Sequence, residues 1–280
     1  MRKLCIYHAE CNDGFGAAWA VWKRYGDEFE YFPAVHNEPP PAEIEGRDIV
    51  MVDFAYPRAV FADIVAKAKS VLVLDHHISM VTELEPWLSK STKRPASIEG
   101  WSWDGVCVIL DMSHSGAMLA WQFFHQEDAA PILTMLIEDY DLYRLKYPGS
   151  KDMAFALASY PQDFNTWSDL YVPNLIKEGR HIRRFMRKEI DHAKTNATAM
   201  NIGGVEVPAV NTSHAYANDV AGELSENHPF AACYWVTPTG TQFSLRSKSD
   251  GADVSEIARR YGGGGHKHAA AFLLRPGSSL

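Results

Sequence analysis

Three apolar runs in the first eighty residues end in the same chemical way. "KLCIYH" leads into His8, Glu10 and Asp13, "DIVMVDF" reaches Asp53, and "VLVLDHH" closes on Asp75, His76 and His77. A fifth acid, Asp139 in "IEDYD", follows another strongly apolar segment. Taken singly, each has an ordinary explanation. A histidine after a strand is often only hydrogen-bonded, and Asp13 before glycine suits a helix cap. Burying an acid and two histidines after "VLVL" without partners, however, is costly. Acids gathered in one place repel one another unless positive charge compensates them. Carboxylate and imidazole donors without thiolate suit manganese, magnesium, iron or zinc rather than copper or a structural zinc–thiolate site. The donors outnumber one tetrahedral shell, which suggests two ions. Two ions sharing a carboxylate, about 3.5–4 Å apart, suit phosphoester hydrolysis.

Strands must bring these residues together. The runs are continuous rather than alternating, and helical patterns separate them, over 14–26 after the first and from Pro57 to Lys69 after the third. Such spacing predicts an α/β domain with a parallel sheet and helices on both faces. In a doubly wound sheet the carboxyl ends of the strands face one crevice, so residues spread over seventy positions converge there. "EYFPAV" supplies a further strand and "VCVIL" a return to the sheet, while "HSGAMLAWQFFH" and "APILTMLIEDYD" read as helices. Residues 87–105 are polar and tryptophan-bearing and read as a surface excursion.

From residue 174 to 195 apolar residues recur at helical spacing on a basic background, predicting a long amphipathic helix whose basic face reads as solvated. Two hairpins follow, "NIGGVEVPAVN" and "FAACYWVTPTGTQFSLRS", then a helix, a glycine run and a last strand. The expected organisation is therefore a first domain over 1–170, a helical connector over 171–198 and a smaller α/β domain with a mixed sheet over 199–280.

The 280 residues carry a formal charge of −8, which argues against a protein that coats duplex DNA. The opening residues are too short an apolar stretch for a signal peptide, and no window reaches the length of a membrane span. Four cysteines without paired metal-type spacing fit a reduced, cytoplasmic setting. In the smaller domain, Gly262 to Gly265 can bare backbone amides to an anion, with His266 following and Arg246 on the neighbouring hairpin. The plainer reading is a flexible turn, and His268 reads as structural. Ser115 reads as a helix N-cap rather than as part of a phosphate cradle. Trp101, Trp103 and Tyr140 read as packing before base stacking.

These residues resemble a known family. "VLVLDHH" matches the signature of the DHH superfamily of phosphoesterases, "HAECNDGFGAA" its first motif, "VDFAY" its second and "EDYD" its fourth. "FSLRS" and "GGGGHKHAAAF" resemble the DHH-associated C-terminal domain. The similarity runs through nearly the whole chain in the right order. It is nearest to the short two-domain branch of nano-RNases and cyclic-nucleotide or cyclic-dinucleotide phosphodiesterases. The resemblance implies two divalent ions, manganese first and magnesium second. It implies His8, Asp13, Asp53, His76 and Asp139 as metal ligands, with Asp53 bridging. Asp75 would orient the site and His77 would face the scissile phosphate. Arg246, Gly264, Gly265 and His266 would hold the substrate, in a cleft closed across the connector. The usual first motif has two aspartates two residues apart, whereas the acids here are Glu10 and Asp13, so Glu10 becomes a candidate substitute ligand. The implied activity is hydrolysis, through a metal-activated water, of phosphodiester bonds in short oligonucleotides, dinucleotides or cyclic dinucleotides. No membrane or duplex partner is expected, and a homodimer is left open. The alternatives are a pyrophosphatase or polyphosphatase, and a nucleotide-binding sensor with a weakened site.

Overall fold

The computed structural model describes residues 2–36, 38–88, 105–126 and 128–280. Of the polar excursion expected over 87–105, the part from 89 to 104, with Trp101 and Trp103, lies outside the described residues. The chain forms two compact units, Met1–Arg180 and His181–Leu280.

In the first unit the elements run β1 (Lys3–His8), α1 (Asn12–Tyr25), β2 (Phe29–Ala34), β3 (Asp48–Val52), α2 (Arg58–Lys67), β4 (Ser70–Asp75), α3 (Ser79–Glu83), α4 (Glu85–Leu88), β5 (Gly105–Leu110), α5 (Gly116–Phe124) and α6 (Ile132–Asp141). Two short helices follow, α7 (Ser150–Leu157) and α8 (Phe164–Asp169), and then α9 (Val172–Thr195), within which the two units divide. The five strands pair in parallel in the order β2-β1-β3-β4-β5.

Alternation along these strands decides which residues meet which helix. Leu4, Ile6, Ile49, Met51, Val71 and Val73 form one buried cluster with Phe61 and Ile64 of α2. Helices α1 and α5 pack on each other, and both lie against the sheet, α1 along β1 and α5 along β4. Every residue of β4 is buried, which is why "SVLVLD" shows no polar alternation. The strand order reverses direction between β1 and β3: the chain leaves β1 for β2 on one side and later builds β3, β4 and β5 on the other. Such a switch point opens a crevice at the carboxyl ends of the two strands.

The second unit contains β6 (Thr198–Ile202), β7 (Val205–Asn211), α10 (His214–Leu224), β8 (Ala231–Thr237), β9 (Gly240–Arg246), α11 (Val254–Arg260), β10 (Gly264–His266) and β11 (Ala269–Leu274). Its sheet has the order β10-β11-β9-β8-β7-β6 and is mixed, because β7 and β8 are parallel while the other pairs are antiparallel. Phe230, Phe243, Leu245, Ile257 and Phe272 lie in its core. Helix α10 was not anticipated. "HAYANDVAGEL" is short, it buries Ala217, Val220 and Ala221, and Ser213, which accepts a hydrogen bond from the Ala215 amide, starts it.

Candidate metal centre

His8 ends β1 and Asp53 follows β3, so the switch point brings them together, with His8 Nδ1 3.6 Å from Asp53 Oδ2. The turn that carries Asp53 is tight. Its φ is +55°, in the left-handed region that non-glycine residues rarely occupy. The Asp53 amide donates to the Leu74 carbonyl of β4, which fixes the turn to its neighbour. Close approach is also built in from α5, where a Cβ on Gly116 would sit 2.4 Å from the Asp53 Cβ. At β1, a Cβ on Gly14 would sit 2.3 Å from the His8 carbonyl oxygen, so α1 lies directly on the strand.

His76, just beyond β4, occupies the middle of an acidic ring. Its Nε2 lies 3.1 Å from Asp53 Oδ1 and 3.6 Å from both Asp13 Oδ2 and Asp141 Oδ2. Asp13 is buried and accepts hydrogen bonds from the Gly116 and Ala117 amides, at 2.6 and 3.0 Å. It thereby satisfies two free amides at the start of α5, where the helix dipole favours an anion. Ser115 takes a third, accepting from the Met118 amide, so it acts as the N-cap. Next to His76, Asp75 is fully buried; its Oδ1 accepts from the His76 amide and from His77 Nδ1, the latter at 2.7 Å. His36 and His8 contact each other edge to face, and His36 also lies against Phe54.

Charge is distributed unevenly. Burial would raise the Asp53 carboxyl, but hydrogen bonds from His76 and His8 and the nearby His77 outweigh it and hold it at about 2. Asp13 is pushed well above the carboxylate range by burial and by repulsion from Asp53 and Asp141. Asp141 is raised by burial and by Asp53. The hydrogen bond to Asp75 lifts His77 to about 9. Because that value lies above the ordinary 6.5, the pair stabilises the fold fully below about pH 6.5 and loses this contribution as pH rises through 9. Asp75→Asn, followed by NMR titration of the metal-free protein, is expected to bring His77 back toward 6.5. A His77 that still titrates near 9 would show that another group carries the shift.

Three groups of side chains place their ligand atoms within 4.8 Å of one another: His8, Cys11 and Asp53; Asp53, His76 and His77; and Asp13, His76 and Asp141. Asp53 and His76 each belong to two groups, as expected of residues lying between two ion positions. The donor set fits divalent cations. Its acids are more crowded than they tolerate alone, and the two raised carboxyls mark negative charge that a cation would relieve.

Two of the expected ligands are not part of these groups. Asp139 is buried, and its carboxylate accepts from the Lys146 and Tyr147 amides, at 2.9 and 3.1 Å; it ties down the loop after α6. Asp141 instead lies beside His76, 3.6 Å from its Nε2, and is grouped with it and Asp13. On a helix two residues are separated by roughly 200°, so acids at 139 and 141 face opposite ways. That geometry was the available signal in "EDYD". Glu10 is the second correction. It forms the left-handed turn between β1 and α1, with φ +54°, is exposed and belongs to none of the three groups. The residue two before Asp13 is Cys11. The position two before Asp13 thus carries a thiol where the resemblance places an acid, and its sulfur lies within 4.8 Å of donor atoms of His8 and Asp53. Burial and the neighbouring Asp53 and Asp13 push that thiol up.

In the second unit Arg246, Gly264 and Gly265 line a cavity of about 720 Å³ together with Asn218, Trp235 and Gln242. Arg246 Nε donates to Asn218 Oδ1 at 2.7 Å, and its Nη1 donates to the Ser244 hydroxyl and the Leu245 carbonyl. His214 packs edge to face on Trp235. The glycine run is less a free loop than expected. Gly264 to His266 pair with β11, and a Cβ on Gly263 would lie 2.1 Å from the Ala271 carbonyl oxygen. His266 is exposed and is not among the residues lining the cavity. His268 Nδ1 lies 3.0 Å from the Ser247 hydroxyl, a structural contact.

No family model matches the chain. Uncharacterized protein R106 of Acanthamoeba polyphaga mimivirus is 25% identical over 300 residues, covering 97% of this chain and 67% of that protein. Three solved structures share the fold. The DHH domain of a protein described as a member of a family of ribosomal proteins has a TM-score of 0.55 at 11% identity, covering 97% of this chain and 82% of that one. RecJ of Thermus thermophilus, in complex with Mn2+, has a TM-score of 0.53 at 14% identity, covering 98% and 49%. PggH of Vibrio cholerae, described as a pGpG-specific phosphodiesterase, has a TM-score of 0.52 at 13% identity, covering 99% and 94%. At these identities the likeness is one of fold.

Proposed function

We propose that this chain, which has the two-domain α/β fold of the DHH superfamily, is a divalent-metal-dependent phosphodiesterase acting on short oligonucleotides, dinucleotides or cyclic dinucleotides. The observation that carries the reading is the sharing of Asp53 and His76 among three groups of ligand atoms at the sheet switch point. His8, Asp13, Asp53, His76 and Asp141 would hold two divalent ions, manganese or magnesium suiting the carboxylate-rich side formed by Asp13, His76 and Asp141. Such ions, when bound, lower the pKa of a water and neutralise charge that develops on a phosphoryl group.

The chain's own residues supply the rest. Asp53, held ionised at about 2, is the permanent negative charge of the centre. Asp13 is fixed by the α5 amides, one on each oxygen, and differs from Asp139 in that its Oδ2 also lies 3.6 Å from His76 Nε2. His77, hydrogen-bonded to Asp75 and raised by it to about 9 in the metal-free protein, is the candidate proton donor to a phosphoryl or leaving oxygen. In the second unit Arg246 is pre-aimed by Asn218 and faces a cavity with an aromatic wall, Trp235, and an amide, Gln242. This combination suits a nucleotide: a guanidinium for phosphate, an aromatic face for a base.

RecJ, in complex with Mn2+, and PggH, a pGpG-specific phosphodiesterase, share the fold and support the reading. A turnover panel tests it, comparing linear dinucleotides, cyclic dinucleotides, longer single strands and pyrophosphate, each with manganese, magnesium and zinc. Hydrolysis of a nucleotide substrate is expected. Turnover of pyrophosphate alone would establish a pyrophosphatase instead, and tight nucleotide binding with no turnover would establish a sensor. Arg246→Ala is expected to raise KM by about 10-fold or more with a smaller change in kcat, the scale of a lost charged hydrogen bond. An unchanged KM would remove Arg246 from substrate holding.

A further inference from the structure

We propose that the ion position formed by His8, Cys11 and Asp53 carries a cysteine thiolate ligand and selects zinc over manganese and magnesium, while the position formed by Asp13, His76 and Asp141 takes the harder ion. The proposal rests on the metal-centre reading above and assigns its two positions different chemistry.

The geometry is specific to Cys11. Its ligand atom lies within 4.8 Å of donor atoms on His8 and Asp53. The backbone at Cys11 is held from both sides: its carbonyl accepts from the Phe15 amide at 3.0 Å and from Gln162 Nε2 at 3.1 Å. The following residue is also tied down, since Asn12 Nδ2 donates to the Ala154 carbonyl at 3.2 Å. The thiol is therefore carried on a fixed N-cap between β1 and α1 rather than on a loose loop. The other cysteines, Cys5, Cys107 and Cys233, are buried in strands of the two sheets, whereas Cys11 is partly open.

Sulfur changes the preference of the position. Thiolate is a soft donor and imidazole a borderline one, a pairing that favours zinc, whereas manganese and magnesium prefer oxygen. The second position offers two carboxylates and one imidazole and no sulfur. The two halves of the centre thus differ by one donor atom, and that atom is the one that discriminates between hard and borderline cations. On binding, the Cys11 thiol gives up its proton to solvent and the sulfur lone pair goes to the ion.

Cobalt(II) is the probe, because it follows zinc in its ligands and reports bound thiolate by colour. The metal-free full chain is titrated with Co2+, and absorbance is read for the wild type, Cys11→Ser and Cys11→Asp. A thiolate-to-cobalt charge-transfer band is expected in the wild type and in neither variant. Zinc is expected to displace the band stoichiometrically, while a roughly 100-fold excess of manganese leaves it in place. Cys11→Asp is expected to weaken zinc and tighten manganese at this position, each by about 10-fold or more. Circular dichroism of both variants confirms folding, and Cys11→Asp keeps the test alive if Cys11→Ser is poorly soluble. Cobalt binding without the band, a band that survives in Cys11→Ser, or manganese displacing cobalt as readily as zinc does would each overturn the assignment. The readout needs no turnover. A thiolate band with no hydrolysis of any substrate would sink the phosphodiesterase reading and leave the ligand assignment standing. Manganese-supported hydrolysis with no thiolate band would do the reverse.

Discussion

Asp53→Asn is expected to abolish divalent-ion-dependent hydrolysis, by about 10³-fold or more, while the protein remains folded. The expectation follows from position. Asp53 is the one carboxylate, among the described residues, that belongs to both the His8 group and a His76 group, so its loss takes a donor from the His8 and Cys11 position and also removes the carboxylate that His76 Nε2 meets at 3.1 Å. Removing a single donor to a transition-state charge typically costs about 10²–10³ in rate, and here the same side chain also holds His76. Asparagine has nearly the same shape and keeps the tight turn at φ +55°, which asparagine tolerates well. The fold should therefore survive. The substitution also removes the charge that raises Asp13 and Asp141, so both carboxyls should titrate lower in the metal-free variant. Kinetics under manganese, calorimetric metal titration and a thermal melt check the three parts. Retained activity would remove Asp53 from the chemistry, and a collapsed melt would assign it to the fold instead.

The second large effect separates two acids that sit two residues apart. Asp139→Asn is expected to destabilise the protein by about 1–3 kcal/mol, because a buried carboxylate accepting from two backbone amides is replaced by an amide that presents a donor to one of them. Folded Asp139→Asn should bind metal normally. Asp141→Asn is expected to do the opposite: a melting temperature unchanged or slightly raised in the metal-free state, since burial and Asp53 strain this carboxyl, and metal affinity weakened by about 10-fold or more. Thermal melts and metal titrations of the two variants side by side give the result. If Asp139→Asn loses metal and keeps its stability, the assignment of the two acids is reversed.

Much of the first unit could be read without coordinates. Its three central strands are buried on both faces, so "KLCIYH", "DIVMV" and "SVLVLD" stand out as unbroken apolar runs, and their parallel pairing follows from the helices between them. Convergence of His8, Asp53 and His76 followed from the same topology, because strand ends in a doubly wound sheet meet at one edge. Helices α7, α8 and α10 were not legible. They are short, and their caps, such as Asp163 accepting from the Thr166 amide, look like ordinary loop residues in one dimension.

What the linear order alone determined was the fold class and the chemistry of the centre: strands with acids and imidazoles at their carboxyl ends. Which atoms make up that centre was decided only in three dimensions. "EDYD" contains three acids, and nothing in their types separates Asp139, taken by two backbone amides, from Asp141, 3.6 Å from His76. "AECND" offers Glu10 as the evident substitute acid, yet the left-handed turn leaves it outside and brings the Cys11 sulfur in. The reason is the same in both places. Residue type sets what a side chain can bind. Its rotation about a helix, or the handedness of a turn, sets what it can reach, and those angles depend on contacts from residues more than a hundred positions away, such as Gln162 on Cys11.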